Sequence, residues 1–207
     1  MGTMAKLLPT PNMPVSVVQH LPAAEAAAQE VLESVSASRT KDLQALKTQL
    51  NETMSAKTPP RNRLIRIRHI AGQHSAIFSS KSACSSGCSH CCHIDVSVPR
   101  SEALLIGKMT GKRVSEPSVT FPIDQPPAKS FVGSPCPFLA GGSCSIYAHR
   151  PLLCRTLVNL DTSPKLCELV PNATIPVPYL NTTALRAAFT IVTQSEDFAD
   201  IREWFAP

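Results

Sequence analysis

The sequence predicts a mainly α, loop-rich protein in which a small cysteine-cluster metal domain packs with amphipathic helices. Its 207 residues are enough for one domain with a hydrophobic core, but only 5% are aromatic and 19 are prolines, so much of the chain must form loops. All eight cysteines lie between Cys84 and Cys167. The segments on either side carry apolar residues at helical spacing, which predicts helices there.

The first 80 residues divide into two parts. Residues 1–21 are rich in proline and have no apolar period, so we expect a flexible lead-in that metal binding does not need. Residues 22–80 have helical periodicity and are predicted to form a helical segment. Its first helix begins at Pro22, which suits a first-turn position. A second helix begins with Thr40 as its N-cap and ends before Pro59.

A basic stretch lies just before the cysteines. Residues 61–78 predict a third helix, and the interval from Lys57 to Lys81 holds six basic residues and no acidic one. Such a patch can attract nucleic acid or an acidic partner. A solvated helix face, or arginines that offset the charge of a thiolate cluster, explains it more simply, and we do not expect nucleic acid to bind.

Residues 81–207 are predicted to form the metal-binding domain with its C-terminal helices. A brief strand over residues 94–98 leads into a helix that Pro99 opens and Gly111 ends. Residues 115–132 hold four prolines and no helical period, which predicts a loop between the two groups of cysteines.

Two more helices are predicted near the C-terminus. Asn181 caps the first, whose apolar residues follow the i, i+3, i+4, i+7 pattern. The last, short helix carries Phe198, Ile201 and Trp204.

The cellular compartment decides how the cysteines are interpreted. The chain has no run of about 18 apolar residues, and its start resembles neither a signal peptide nor a transit peptide, so we expect a cytoplasmic protein that does not enter a membrane. Cytosolic thiols are kept reduced. A dense cysteine pattern there indicates metal binding rather than disulfides.

The cysteines are predicted to hold iron-sulfur clusters or zinc. Thiolates this close repel one another unless a cation absorbs their charge. Both kinds of centre accept four thiolates, although a second short C-x2-C pair, usual in zinc fingers, is missing. Because adjacent Cys91 and Cys92 should diverge, we expect at least one centre to combine ligands from both groups. The predicted ligands are Cys84, Cys88, Cys91, Cys92, Cys136, Cys144, Cys154 and Cys167.

Other residues near the cysteines are predicted to shape the site. Gly141 and Gly142 should form a tight turn that brings Cys136 and Cys144 together. Pro151 should fix the backbone before Cys154. Neutral imidazole is a common metal ligand, but eight thiolates do not require the histidines beside the cysteines, which are His90, His93 and His149.

Three further side chains are predicted to contact the metal or cluster. Arg150 and Arg155 flank Cys154 and could donate hydrogen bonds to sulfur or offset its negative charge. Tyr147 lies in the same turn and is grouped with them as a cofactor-binding candidate. For the arginines, a surface salt bridge is the alternative explanation.

One partial motif is a chance match. The spacing Cys84-x3-Cys88-x2-Cys91 resembles the cluster loop of radical S-adenosylmethionine enzymes. That motif has no cysteine at the position of Cys92, and the 115 residues that follow are too few for the strand-helix repeats of a full or partial barrel.

The run from Cys136 to Arg155, preceded by a CxxCxxCC-type cluster, resembles the YkgJ-like family of zinc- or iron-chelating proteins, often called the CxxCxxCC family. The resemblance covers Cys84 to Cys167. The chain departs from the family pattern in having three residues, not two, between Cys84 and Cys88. The resemblance implies a metal-cluster domain, with relatives that methylate flagellin lysines.

The sequence is compatible with three functions and does not decide whether the protein is an enzyme. The first is an iron-sulfur or zinc protein used in redox chemistry or protein modification. The second is a structural zinc module that presents its helices to a protein partner. The third, methyl transfer, is implied only by the family resemblance, because no glycine-rich loop after a strand marks a nucleotide pocket.

Overall fold

The computed structural model describes residues 6–84, 87–123, 125, 127 and 129–205. The protein is mainly α, as predicted. None of the described helices is both long and apolar enough to cross a membrane. The α-helices are α1 (Val15–Ser38), α2 (Thr40–Ser55), α3 (Pro60–Ser79), α4 (Arg100–Thr110), α5 (Leu152–Thr156), α6 (Thr183–Thr193) and α7 (Ile201–Trp204). The strands are β1 (Ser97–Pro99), β2 (Leu139–Ala140), β3 (Ser143–Cys144) and β4 (Phe198–Asp200).

Helix α3 lies at the centre of the helical part of the molecule. It contacts α1, α2, α5 and α6, and its side chains Leu64, Ile67 and Ala71 are fully buried. These positions follow the helical repeat, so one stripe of α3 faces the core. The core cluster around α3 also includes Leu152 and Leu185. Residues before and after position 80 therefore share one core. The predicted boundary between residues 22–80 and residues 81–207 stays a prediction.

Several helices begin and end close to the predicted residues. Helix α2 begins at Thr40, with Arg39 rather than Thr40 as the N-cap. Helix α4 ends at Gly111, whose φ of 69° is the left-handed conformation that glycine adopts most easily. The N-cap of helix α6 is Thr182 and not the predicted Asn181, although Asn181 accepts a hydrogen bond from the Thr183 backbone N–H at 3.1 Å. Both predicted N-caps are therefore one residue away from the observed ones, and only the glycine at the end of α4 was located correctly.

The N-terminal segment differs from its prediction. Helix α1 begins at Val15, and Pro22 lies inside it, so the predicted start of the first helix at Pro22 is wrong and residues 15–21 are helical. That metal binding does not need residues 1–21 stays a prediction. Proline inside a helix removes a backbone hydrogen bond and costs about 3 kcal/mol. The burial of Val17 and Leu21 against Leu166 offsets this cost.

Two short antiparallel sheets hold the cysteine region. Strand β1 pairs with β4, with Val98 opposite Ala199, and the indole N–H of Trp204 donates to the Val98 carbonyl at 2.8 Å. The predicted strand, residues 94–98, overlaps β1 but begins before it. Phe198 was predicted to be helical but lies in β4, because its pairing partners are about 100 residues away and leave no local signal.

The second sheet is the hairpin of β2 and β3. Gly141 and Gly142 form its turn, with φ values of 55° and 75°, as two-residue hairpin turns require. Leu139 is paired with Cys144. The predicted tight turn is confirmed.

A buried ion pair connects the helices to the loop before Cys154. Arg68 of α3 lies 2.8 Å from Glu102 of α4, and their side chains are 6% and 0% exposed. Glu102 also accepts a hydrogen bond from the Leu152 N–H at 2.8 Å, and Arg68 donates to the carbonyl of His149 at 2.8 Å. Burial raises the pKa of Glu102, and the Arg68 guanidinium opposes that shift.

We expect Glu102→Ala to lower the free energy of unfolding by about 3–5 kcal/mol, because it leaves the buried Arg68 charge unpaired. Glu116→Ala is the matched control. Its pair with Arg100, at 2.9 Å, is exposed and should contribute about 1 kcal/mol or less. Urea unfolding of both variants measures the difference, and equal effects would contradict a structural role for the buried pair.

We also expect a chain that begins at Pro22 to unfold at least about 3 kcal/mol more easily than the full chain, because it loses the three buried apolar side chains Leu7, Val17 and Leu21. It also loses the hydrogen bond between His20 and Asp161, at 2.7 Å. A chain that begins at Leu7 keeps these contacts and is the control. Urea unfolding compares the three, and unchanged stability of the chain that begins at Pro22 would show that these contacts do not stabilise the fold.

Candidate metal centre

Seven of the eight cysteines line one cavity of about 50 Å³. The wall between them is mainly apolar and includes Phe138, Ile146 and Ile201. A space this small holds little water. The lining cysteines are Cys84, Cys88, Cys91, Cys92, Cys136, Cys144 and Cys154.

Backbone hydrogen bonds join the two cysteine groups beside this cavity. A 3-10 turn over His90–His93 carries Cys91 and Cys92. The Cys136 N–H donates to the Cys92 carbonyl at 2.7 Å, and the Gly133 N–H donates to the His93 carbonyl at 2.7 Å. The chain after the proline-rich loop is therefore fixed directly against the first cysteine run.

Arg202 of α7 reinforces the same junction and is not among the predicted site residues. Its guanidinium donates to the carbonyls of Cys92 at 3.1 Å and Ile94 at 3.2 Å. It also donates to the carbonyls of Ser134 at 2.6 Å and Pro135 at 3.2 Å. These acceptors belong to two segments that are distant in sequence, so no local motif could have identified this arginine.

The three predicted cofactor-binding side chains separate into two positions. Arg150 and Tyr147 both line the cavity, and the guanidinium carbon of Arg150 lies 4.0 Å from the centre of the Tyr147 ring. Arg155 does not line it. Its guanidinium donates to the carbonyls of Arg150 at 2.9 Å and Ala148 at 2.5 Å. Burial, with Arg68 and Arg150 nearby, lowers the pKa of Arg155 to about 10.

The environment of the thiols disfavours their ionisation. Burial raises the pKa of Cys136, Cys144 and Cys154. By contrast, the pKa of Cys91 is lowered to about 7, mainly by a hydrogen bond from Cys92. A bound cation would supply the charge that the remaining thiols need to ionise.

Asn159 connects the eighth cysteine to the first. Its backbone N–H donates to Cys84 Sγ at 3.1 Å, and its side-chain amide donates to Cys167 Sγ at 3.4 Å. Asn159 is fully buried. Its Oδ1 accepts from the Asp161 N–H at 2.9 Å, and Asp161 bonds to His20 of α1 at 2.7 Å. Cys167 is not among the described residues that line the cavity.

The histidines beside the cysteines lie outside the cavity wall. His93 Nδ1 is 3.2 Å from the Ser89 carbonyl, and His149 Nδ1 is buried without a hydrogen-bond partner. Over the part of the chain that the structure describes, no three His, Cys, Asp or Glu side chains converge closely enough to hold a single metal ion. The thiols surround a shared space and do not point at one atom.

The donor set nevertheless fits a metal held by thiolates. Soft sulfur ligands select zinc, copper(I) and iron-sulfur clusters over hard cations such as Mg²⁺ and Ca²⁺. The cavity wall adds one cation, Arg150, that would offset negative charge. The fold and the site thus define a protein with a cysteine-lined cavity whose donor atoms suit a thiolate-bound metal.

Comparison with known families agrees with this class. Residues 83–174 match the model of the CxxCxxCC family, described as "Putative zinc- or iron-chelating domain". The matched segment includes all eight cysteines, and the match supports metal chelation by this segment. No curated protein and no solved structure is significantly similar to the chain.

We expect Arg202→Ala to destabilise the protein by about 3 kcal/mol, because it removes hydrogen bonds to carbonyls on both sides of the junction and leaves the buried Asp200 carboxylate without its charged partner. Exposed Arg100, replaced by alanine, is the control. Urea unfolding measures the loss, and amide exchange locates it. The amides of Gly133 and Cys136 should exchange faster in the Arg202 variant only; unchanged exchange at both would show that Arg202 does not hold this junction.

Proposed function

We propose that the protein is an iron-sulfur protein whose cluster is bound by cysteines of the cavity. The observation that carries the proposal is that seven thiols from both cysteine groups surround one small space while no three of the described donors converge. A zinc ion needs its sulfurs about 2.3 Å from a single point. The four thiolates of a cubane [4Fe–4S] cluster each bind a different iron, so their sulfur atoms stand further apart.

The surroundings of the thiols support a role in electron transfer. A cluster would supply one-electron chemistry. Arg150 would offset its charge, and Phe138 and Ile146 would keep water away from the sulfur atoms. Protein modification is a narrower form of the same proposal, and the described residues include no feature that favours it.

A structural zinc module is the second candidate. It is supported by the family description, which names zinc and iron together. Methyl transfer has weaker support. The described strands are two or three residues long, and neither of those that run directly into a helix, β1 and β4, does so through a glycine-rich turn.

Anaerobic purification followed by elemental analysis and absorption spectroscopy tests the proposal. We expect a brown protein that contains iron and acid-labile sulfide, and whose colour bleaches on reduction with dithionite. A colourless protein with stoichiometric zinc and no sulfide would overturn the iron-sulfur assignment in favour of the zinc module.

A further inference from the structure

We propose that Asn159 is a positioning residue of the metal centre: it holds Cys167 beside Cys84 as a ligand of the same centre and raises the reduction potential of a bound cluster. The inference rests on the iron-sulfur assignment proposed above and deepens it. Among the described residues, the other seven cysteines line the cavity and Cys167 does not. The contacts of Asn159, and those of the turn that carries Cys167, support the proposal.

Asn159 donates hydrogen bonds to two sulfur atoms. Its backbone N–H donates to Cys84 Sγ at 3.1 Å, and its side-chain Nδ2 donates to Cys167 Sγ at 3.4 Å. The two sulfur atoms therefore lie within hydrogen-bond distance of one residue, although the two cysteines stand at opposite ends of the cysteine-containing segment.

The chemistry of sulfur indicates why an amide is placed there. A neutral thiol is a weak hydrogen-bond acceptor, so a buried amide gains little by donating to it. A thiolate is a better acceptor, because its negative charge strengthens the bond. Asn159 is fully buried and directs two donors at sulfur. This arrangement is favourable when both sulfur atoms carry the negative charge of metal ligands.

Other hydrogen bonds fix the orientation of the Asn159 amide. Its Oδ1 accepts from the Asp161 N–H at 2.9 Å, and its Nδ2 also donates to the Ser163 carbonyl at 3.3 Å. The Asp161 carboxylate in turn accepts from the Ser163 N–H at 3.1 Å. Because rotation of the amide would break these bonds, its donor group stays directed at Cys167.

The turn that carries Cys167 is fixed to the rest of the fold. It is a 3-10 turn over Pro164–Cys167, and its N-cap Ser163 accepts a hydrogen bond from the Lys165 N–H at 3.2 Å. Leu166 is 1% exposed and packs in an apolar cluster. The backbone next to Cys167 is therefore anchored on the side of Leu166 as well as through Asn159.

The same turn lies against the first cysteine run. It contacts the 3-10 turn His90–His93, which carries Cys91 and Cys92. Cys167 also lines an open cavity together with Ile94 and Tyr179. Cys167 thus adjoins the residues that build the first cysteine run, although it lies outside the wall of the smaller cavity between the two groups.

A hydrogen bond to a cluster-bound sulfur changes the energy of the reduced cluster. Reduction adds one negative charge, and an amide that donates to sulfur stabilises that charge, so the donor raises the reduction potential. Loss of the Asn159 side chain should therefore lower the potential and loosen Cys167, while the backbone donor to Cys84 stays in place.

The main variant is Asn159→Ala, because alanine keeps the backbone N–H to Cys84 and removes the amide that donates to Cys167. Cys167→Ala removes the proposed ligand and leaves Asn159 in place, and a double variant combines the two changes. Asn181→Ala is the matched control, because Asn181 accepts the Thr183 N–H and donates to no sulfur among the described contacts. Each full chain is reconstituted anaerobically with ferrous iron and sulfide, and separately with zinc.

We expect Asn159→Ala to weaken zinc binding by about 10–100-fold, the usual effect of losing a hydrogen-bond partner of a ligand. Competition with a chelator measures the affinity. In the metal-loaded variant, Cys167 should be alkylated several-fold faster than in the wild type, with Cys84 still protected. The reduction potential of the reconstituted cluster should fall. Asn181→Ala should show none of these changes.

The double variant separates positioning from a general structural role. If Asn159 acts through Cys167, the double variant should have the same metal affinity and reduction potential as Cys167→Ala alone. Additive effects would overturn the proposal. A Cys167→Ala chain with the affinity and potential of the wild type would also overturn it, and this arm does not require Asn159→Ala to fold.

If Cys167→Ala abolishes metal binding, Cys167 is a ligand and alkylation decides the role of Asn159. Faster alkylation of Cys167 alone in Asn159→Ala would support positioning. Equal acceleration at Cys84 and Cys167 would show general loosening and would overturn it.

The outcomes separate this inference from the proposed function. Zinc binding without an iron cluster would reject the iron-sulfur assignment and the effect on the potential, whereas the affinity and alkylation results would still test the positioning of Cys167. A wild-type chain that binds neither metal would reject both.

Discussion

The junction between the two cysteine groups depends on one buried cation, the guanidinium of Arg202. It donates to carbonyls on both sides of the junction, at Cys92 and Ser134 among others. A hydrogen bond from a charged donor contributes about 1.5–3 kcal/mol. The C-terminal helix, which contributes no cysteine, thus fixes the distance between thiols that are far apart in the sequence. Helix α7 therefore helps to hold the two cysteine groups together.

Polar groups from the helical part support the site from its other side. The Arg68–Glu102 pair reaches the backbone at His149 and Leu152, so α3 and α4 together set the position of the loop before Cys154. On the opposite flank, α1 reaches Asn159 through His20 and Asp161. The cysteine loops have little regular structure of their own, and buried hydrogen bonds to helices replace the order that a larger sheet would supply.

The thiols lie in surroundings that are unfavourable for charge. Burial raises the pKa of most of them, which makes an uncompensated thiolate costly. The same low-polarity wall strengthens attraction between thiolate and a bound cation. Metal binding and ordering of the loops are therefore linked. The fold brings the thiols together at a cost in free energy, and coordination of a metal by the thiolates would offset that cost.

The sequence by itself determined the class of the fold, helices α2, α3, α4 and α6, the glycine turn, and the cysteines as the place of the chemistry. These features come from local causes, such as helical periodicity, capping and the chemistry of thiols. Only the tertiary structure decided which residues support the cysteines: Arg202, Asn159 and the Arg68–Glu102 pair. It also showed that the N-terminal segment is partly helical and packed. Each of these depends on partners that are tens of residues to more than 100 residues away, and such pairing leaves no pattern in neighbouring positions of the chain.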